Sequence, residues 1–172
     1  MIWTVTVSFQ SIISVLMLFL AGGCGRDAVK LVPAEEVWRA VQKEAAAANL
    51  DPGFVYAVVW AESSLNAHAD SGVARGLMQL TKPAWEMVTT RRYDDAYQWR
   101  SNLKAGVAYL ALNRDFLVKH QQFTYANLAA AYRYGRNRLQ KEAFDLSRLP
   151  EPTNQIYRSL LGSNIWPVYP PN

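Results

Sequence analysis

The stretch Asp51-Pro52-Gly53-Phe54-Val55-Tyr56-Ala57-Val58-Val59-Trp60-Ala61-Glu62-Ser63-Ser64 decides the fold. Asp51 suits a helix N-cap, and Pro52 suits the first helical position, where a missing N–H costs nothing. Phe54 to Ala61 are apolar almost all round, the pattern of a helix in the middle of a core. Glu62 falls at helical spacing from Val55, Val58 and Val59, so it shares a face with side chains that seek burial. An ionised carboxylate is costly there. It must be partnered, keep its proton or face a cleft. Asn66 to Arg75 then reads as a loop, followed by Gly76-Leu77-Met78-Gln79-Leu80.

The chain has 172 residues, 51% of them apolar, enough for one compact domain with a real core. Its formal net charge is +4, and no charged side chain precedes Arg26. A mildly basic domain favours anionic partners such as nucleic acid, an acidic membrane surface or an acidic wall polymer. Nucleic acid is set aside, because no helix-turn-helix signature, zinc-ligand spacing or basic run is present. Cys24 is the only cysteine, so an intramolecular disulfide is excluded. His68 and His120 stand far apart with no ligand motif around them. No metal site is expected, and a Ser/His/Asp triad has little to build on.

Residues 1–23 carry no charge and hold an apolar core from Ile12 to Ala21. That length suits a signal peptide and falls short of the about 20 residues a spanning helix needs. Leu20-Ala21-Gly22-Gly23-Cys24 resembles the lipobox of bacterial lipoproteins. Ala21 stands where a larger aliphatic residue is usual, and no Lys or Arg opens the segment. The resemblance implies export and lipidation at Cys24, with residues 24–32 as a tether from the membrane. A plain signal peptide or an uncleaved anchor is the alternative.

Pro33 opens an Ala-rich helix to about Ala48, with Val37, Val41 and Ala45 on one face. After the Glu62 helix and its loop, Thr81 caps a short helix containing Trp85, and Arg91 to Gln98 reads as irregular. A long helix spans about Arg100 to Lys119, with Leu103, Val107, Leu110 and Leu117 on one side. Thr124 caps another that stops near Gly135. Leu139–Phe144 and Thr153–Leu161 are the last helical candidates. No segment shows a sustained alternating pattern bounded by hairpin turns. The expectation is an all-α domain over residues 33–162, its short helices packed around the Glu62 helix. A Pro-rich tail over residues 163–172 is expected to be extended and loosely held.

Three segments in order, Glu62-Ser63-Ser64, Gly76-Leu77-Met78-Gln79-Leu80 and Ala131-Tyr132-Arg133-Tyr134-Gly135, resemble the soluble lytic transglycosylases. That family shares a lysozyme-like α fold with goose-type lysozyme. Asn102-Leu103, Gly106, Tyr109-Leu110, and Pro150 followed by Tyr157 are weaker echoes. The resemblance implies cleavage of the bond between N-acetylmuramic acid and N-acetylglucosamine in peptidoglycan. It implies Glu62 as the sole general acid, then base, with formation of 1,6-anhydromuramic acid ends. It places Ser63, Met78, Gln79 and Tyr132 in the sugar groove and calls for no cofactor. Each has a plainer reading: Glu62 as a structural acid tied to Arg75 or a backbone amide, Ser63 as a helix-end hydroxyl, Met78 and Tyr132 as core packing. Ordinary glycosidases need a second carboxylate about 5 to 9.5 Å away. Asp70, Glu86, Asp94 and Asp95 are the nearby candidates, and all lie in segments that read as exposed.

Two departures bear on function. Arg133 stands where the family has asparagine, and Thr153-Asn154 where an acid-threonine pair is common. Facing the groove, Arg133 would either pair with Glu62, lowering its pKa, or bind a substrate carboxylate. The implied setting is the membrane-anchored, wall-facing side of the periplasm, the outer membrane in a Gram-negative cell. The small size resembles members that open the wall for secretion, pilus or conjugation machines. The alternatives are a hydrolytic muramidase on the same fold, or a catalytically weak wall-binding scaffold.

Overall fold

The computed structural model describes residues 29–171; the segment expected to be a signal peptide and Cys24 lie outside them. The described chain is helical, with α1 (Ala34–Ala47), α2 (Pro52–Ser63), α3 (Lys82–Val88), α4 (Trp99–Lys119), α5 (Tyr125–Tyr134), α6 (Arg136–Lys141) and α7 (Gln155–Leu161). Short 3-10 turns span Tyr93–Tyr97 and Leu146–Arg148. The all-α, lysozyme-like expectation holds, with one addition. Two-residue strands β1 (Ala74–Arg75) and β2 (Leu80–Thr81) pair antiparallel, Ala74 opposite Thr81 and Arg75 opposite Leu80.

Local chemistry sets the helix starts. The Asp51 side chain accepts from the Phe54 N–H at 2.9 Å, the Thr81 hydroxyl from Ala84 at 3.3 Å and the Thr124 hydroxyl from Asn127 at 3.0 Å. Each such cap is worth about 1 kcal/mol. α2 is buried continuously from Gly53 to Val59 and packs between α1 and α7. A fully buried Val or Phe on it contributes about 1.5–3 kcal/mol. The long α4 backs the domain, contacting α1, α3 and α5.

Four details differ from the sequence reading. Helix α6 begins directly after Gly135 and ends at Lys141, so the segment expected over Leu139–Phe144 is shorter and earlier. The last helix starts at Gln155, because Asn154 caps it through Ile156 and Tyr157. The end of the tether belongs to the domain: Val32 is buried, its N–H bonds Leu65 O, and Ala67 N–H bonds Lys30 O. The tail is docked where it leaves α7. A Cβ on Gly53 would lie 2.2 Å from the Trp166 ring, which also meets Trp38 edge-on at 6.3 Å. Gly53 is small so that this indole can lie on α2.

Candidate active site

The last turn of α2 carries Glu62 and Ser63, and Ser64 in the left-handed region (φ 51°) ends the helix. Facing that end is the Gly76–Gln79 loop between β1 and β2, held from three sides. Ser63 Oγ donates to Leu77 O at 2.7 Å from α2. Asn102 Oδ1, on α4, accepts from the Met78 N–H at 2.7 Å. Tyr132 OH, on α5, donates to Met78 O at 2.7 Å. Asn102 is fully buried, and its amide also donates to Arg75 O and Ala96 O, both at 2.9 Å. Gly76 is obligatory for two reasons: its φ is +79°, and a Cβ would sit 2.1 Å from Ala96 O. The segments far apart in sequence are thus one hydrogen-bonded unit.

Glu62 is half-buried. Among the described residues its carboxylate accepts one hydrogen bond, from Tyr157 OH on α7. Burial raises its pKa from 4.5 to about 7, against the opposing pull of the Tyr157 hydrogen bond and of the Arg133 charge. Removal from water outweighs both neighbours. The Tyr157 and Tyr132 phenols are pushed well above the ordinary range, by burial first and then by the nearby Glu62 charge. Both therefore remain hydrogen-bond donors at neutral pH.

Tyr157 is the residue the sequence reading undervalued; it noted the residue after Pro150 without assigning it to the site. It lies 95 positions from Glu62. The only local signal is Asn154, whose side chain caps α7 through Ile156 and Tyr157 and donates to Ala61 O at 3.1 Å. That bond ties the start of α7 to the residue before the glutamate. Asn154 thus works as a cap and a cross-link.

Arg133 is exposed and makes no ion pair with Glu62 within 4.0 Å. Its guanidinium lies over the Tyr157 ring, 4.7 Å from the centroid, one ring away from the acid. Glu62 is not tied to Arg75 either. Arg75 pairs with Asp70 at 3.5 Å and with Asp94 at 3.3 Å, and lies over the rings of Tyr93 and Tyr97. Asp95 pairs with Arg91 at 3.2 Å and Glu86 with Lys82 at 3.8 Å. No carboxylate is among the groups that shift Glu62.

The remaining expected site residues divide. Gln79, Tyr132 and Arg133 line one depression, together with Leu80, Thr81 and Tyr109. Glu62 is not part of its lining; Tyr132 and Arg133 are common to the depression and to the surroundings of the acid. Gln79 spends its amide hydrogens on Ala69 O at 2.9 Å and Gly76 O at 3.1 Å. Ser63 likewise spends its proton inside the protein, on Leu77 O. The expectation of a Met78 side chain in the groove is corrected. It is fully buried, and a Cβ on Gly106 would lie 2.2 Å from its sulfur. Met78 serves the site through its backbone. Among the described residues, no group of three or more His, Cys, Asp or Glu side chains could hold a metal ion.

The family model for the transglycosylase SLT domain matches residues 39–147. The chain belongs to this family. No curated protein sequence matches it. Among solved structures, an inactive mutant of the lytic transglycosylase Slt from Pseudomonas aeruginosa is similar, with a TM-score of 0.53 at 22% identity. The alignment covers 72% of this chain and 20% of that one, so this SLT domain spans about a fifth of the larger enzyme. At that identity the likeness establishes the fold. In this SLT domain the match takes in Glu62, the Gly76–Leu80 segment and Tyr132, while α7 with Tyr157 lies beyond it.

Proposed function

We propose that the protein is a peptidoglycan lytic transglycosylase in which Glu62 acts alone, first as acid and then as base. The observation that carries this is a single glutamate whose burial sets its pKa at about 7. A group so poised can give and take a proton near neutral pH. Protonated Glu62 donates to the bridging oxygen as the bond from C1 of N-acetylmuramic acid breaks. The Glu62 carboxylate then removes the proton from the C6 hydroxyl of the same sugar. O6 bonds to C1, giving a 1,6-anhydro end, and Glu62 regains its proton. No water is consumed and no second carboxylate is called for, in keeping with the ion pairing of Asp70, Asp94, Asp95 and Glu86. Tyr157 stays protonated throughout, and its O–H steadies the Glu62 carboxylate between the two proton transfers.

Incubation of purified protein with sacculi, followed by mass spectrometry, tests this. Anhydro-ended fragments are expected, and Glu62→Gln abolishes them. Fragments heavier by one water would identify a hydrolase on the same scaffold. Absence of any fragment from the parent protein would leave only a wall-binding role. We also propose that Cys24 is lipidated and holds the domain at the membrane facing the wall, with a secretion, pilus or conjugation complex as partner. Retained membrane attachment in Cys24→Ser would refute the anchor.

A further inference from the structure

We propose that Arg133, with Arg138 beside it, is a receptor for a substrate carboxylate and makes the site prefer anionic glycans to uncharged ones. The proposal rests on the reading of this site as glycan-cleaving and names its substrate class. Arg133 lines the depression formed with Gln79, Thr81, Tyr109 and Tyr132. Its guanidinium carbon lies over two rings, 4.7 Å from the Tyr157 centroid and 5.6 Å from that of Tyr134. Arg138 approaches the same Tyr134 ring at 6.0 Å. That ring is fixed in turn, because Tyr134 OH donates to Pro150 O at 2.7 Å.

A guanidinium held over aromatic rings by cation–π attraction spends no N–H on them, and its planar fork can grip a carboxylate through two parallel bonds. Among the described residues neither guanidinium makes a hydrogen bond or an ion pair. Among these residues Arg39 and Arg136 also make no ion pair, whereas Arg75, Arg91, Arg92, Arg100, Arg114, Arg148 and Arg158 each pair with an acid. An oriented, unpaired cation one ring from the acid is placed for a group on the sugar undergoing cleavage. Two sources carry that chemistry: the lactyl carboxylate of peptide-free muramic acid, and the carboxylates of a stem peptide.

Occupation would also act on Glu62. The Arg133 charge favours ionised Glu62. A substrate carboxylate cancels that charge, so the glutamate holds its proton more firmly when an anionic strand is bound. The acid is then best prepared with the right substrate in place.

Binding is measured on Glu62→Gln, with and without Arg133→Gln, for three ligands. These are an uncharged N-acetylglucosamine tetramer, a peptide-free GlcNAc–MurNAc tetrasaccharide, and that tetrasaccharide bearing stem peptides. Loss of Arg133 is expected to weaken one or both anionic ligands at least about tenfold, as for loss of a charge-assisted bond, and to leave the uncharged ligand within about twofold. Whichever anionic ligand is affected identifies the source of the carboxylate. Arg133→Lys should recover only part of the loss, since an ammonium keeps the charge but not the fork. In active protein, the alkaline limb of kcat should lie above that of kcat/KM on the anionic substrate, and Arg133→Gln should narrow the gap. Equal weakening across all three ligands, or no weakening, overturns the proposal while cleavage of sacculi by the parent still stands. Failure of the parent to bind any of the three or to cleave sacculi overturns the glycan-cleaving reading and this one together.

Discussion

Replacing Glu62 by Gln should remove a pH dependence from the stability of the whole domain. In the folded protein the carboxyl titrates at about 7, against 4.5 for the free side chain. Below the lower value both folded and unfolded chains hold the proton, and the group contributes nothing. Between the two values the unfolded chain has lost its proton and the folded one keeps it. The folded state then binds more protons, so stability falls as pH rises. Above about pH 7 the buried carboxylate is ionised and the full cost applies. A rise of about 2.5 units at about 1.36 kcal/mol each amounts to about 3 kcal/mol.

Glutamine keeps the shape and can still accept from Tyr157, but it cannot ionise. Its effect on stability is therefore an offset that does not change with pH. Urea unfolding of parent and Glu62→Gln, in steps from about pH 4 to about pH 8, gives the difference directly. The variant should gain about 3 kcal/mol relative to the parent across that range, with most of the change between about pH 4.5 and about pH 7. Parallel stability curves would refute the claim that burial dominates the electrostatics of Glu62. The claim that this residue is poised as an acid near neutrality would fall with it.

Two other perturbations probe the frame around the acid. Tyr157→Phe keeps the ring beneath Arg133 but removes the donor to the Glu62 carboxylate. Losing a hydrogen bond to a charged group should raise the alkaline limb of the pH–rate profile by roughly 1–2 units, and an unmoved or lowered limb would contradict the assignment. Asn102→Ala removes the bonds to Met78, Arg75 and Ala96, which leaves buried backbone groups unpaired. Chemical denaturation should show a loss of about 2–4 kcal/mol, and cleavage should fall as the Gly76–Gln79 loop relaxes.

The helix starts were legible because their causes are local. A side chain at Asp51, Thr81 or Thr124 bonds an N–H three positions on, within reach of any sequence window. The buried nature of α2 was legible for a related reason: a helix apolar all round has no face to offer water. The β1–β2 ribbon escaped notice because two-residue strands are too short to display alternation. The start of α6 escaped because Arg136-Asn137-Arg138 carries no apolar periodicity; Gly135 at φ +87° redirects the chain there.

The site divides along the same line. The anomaly of Glu62, an acid among Val55, Val58 and Val59, is a property of one helix and can be read from spacing alone. The grouping of Glu62, the Gly76–Leu80 segment and Tyr132 into one candidate site came instead from the resemblance of three ordered segments to the soluble lytic transglycosylases. The sequence could not say which side chain meets the carboxyl group, because Tyr157 reaches it across 95 positions through the packing of α7 on α2. Nor could it say that Met78 turns inward onto Gly106, or that Arg133 lies on the Tyr157 ring instead of pairing with the acid. Propensities and periodicity act over a turn or two of chain, so they determined the elements and the suspect residue. The proton affinity of Glu62 depends on how much water the packed helices remove and where two distant side chains come to rest, and only the tertiary structure decided that.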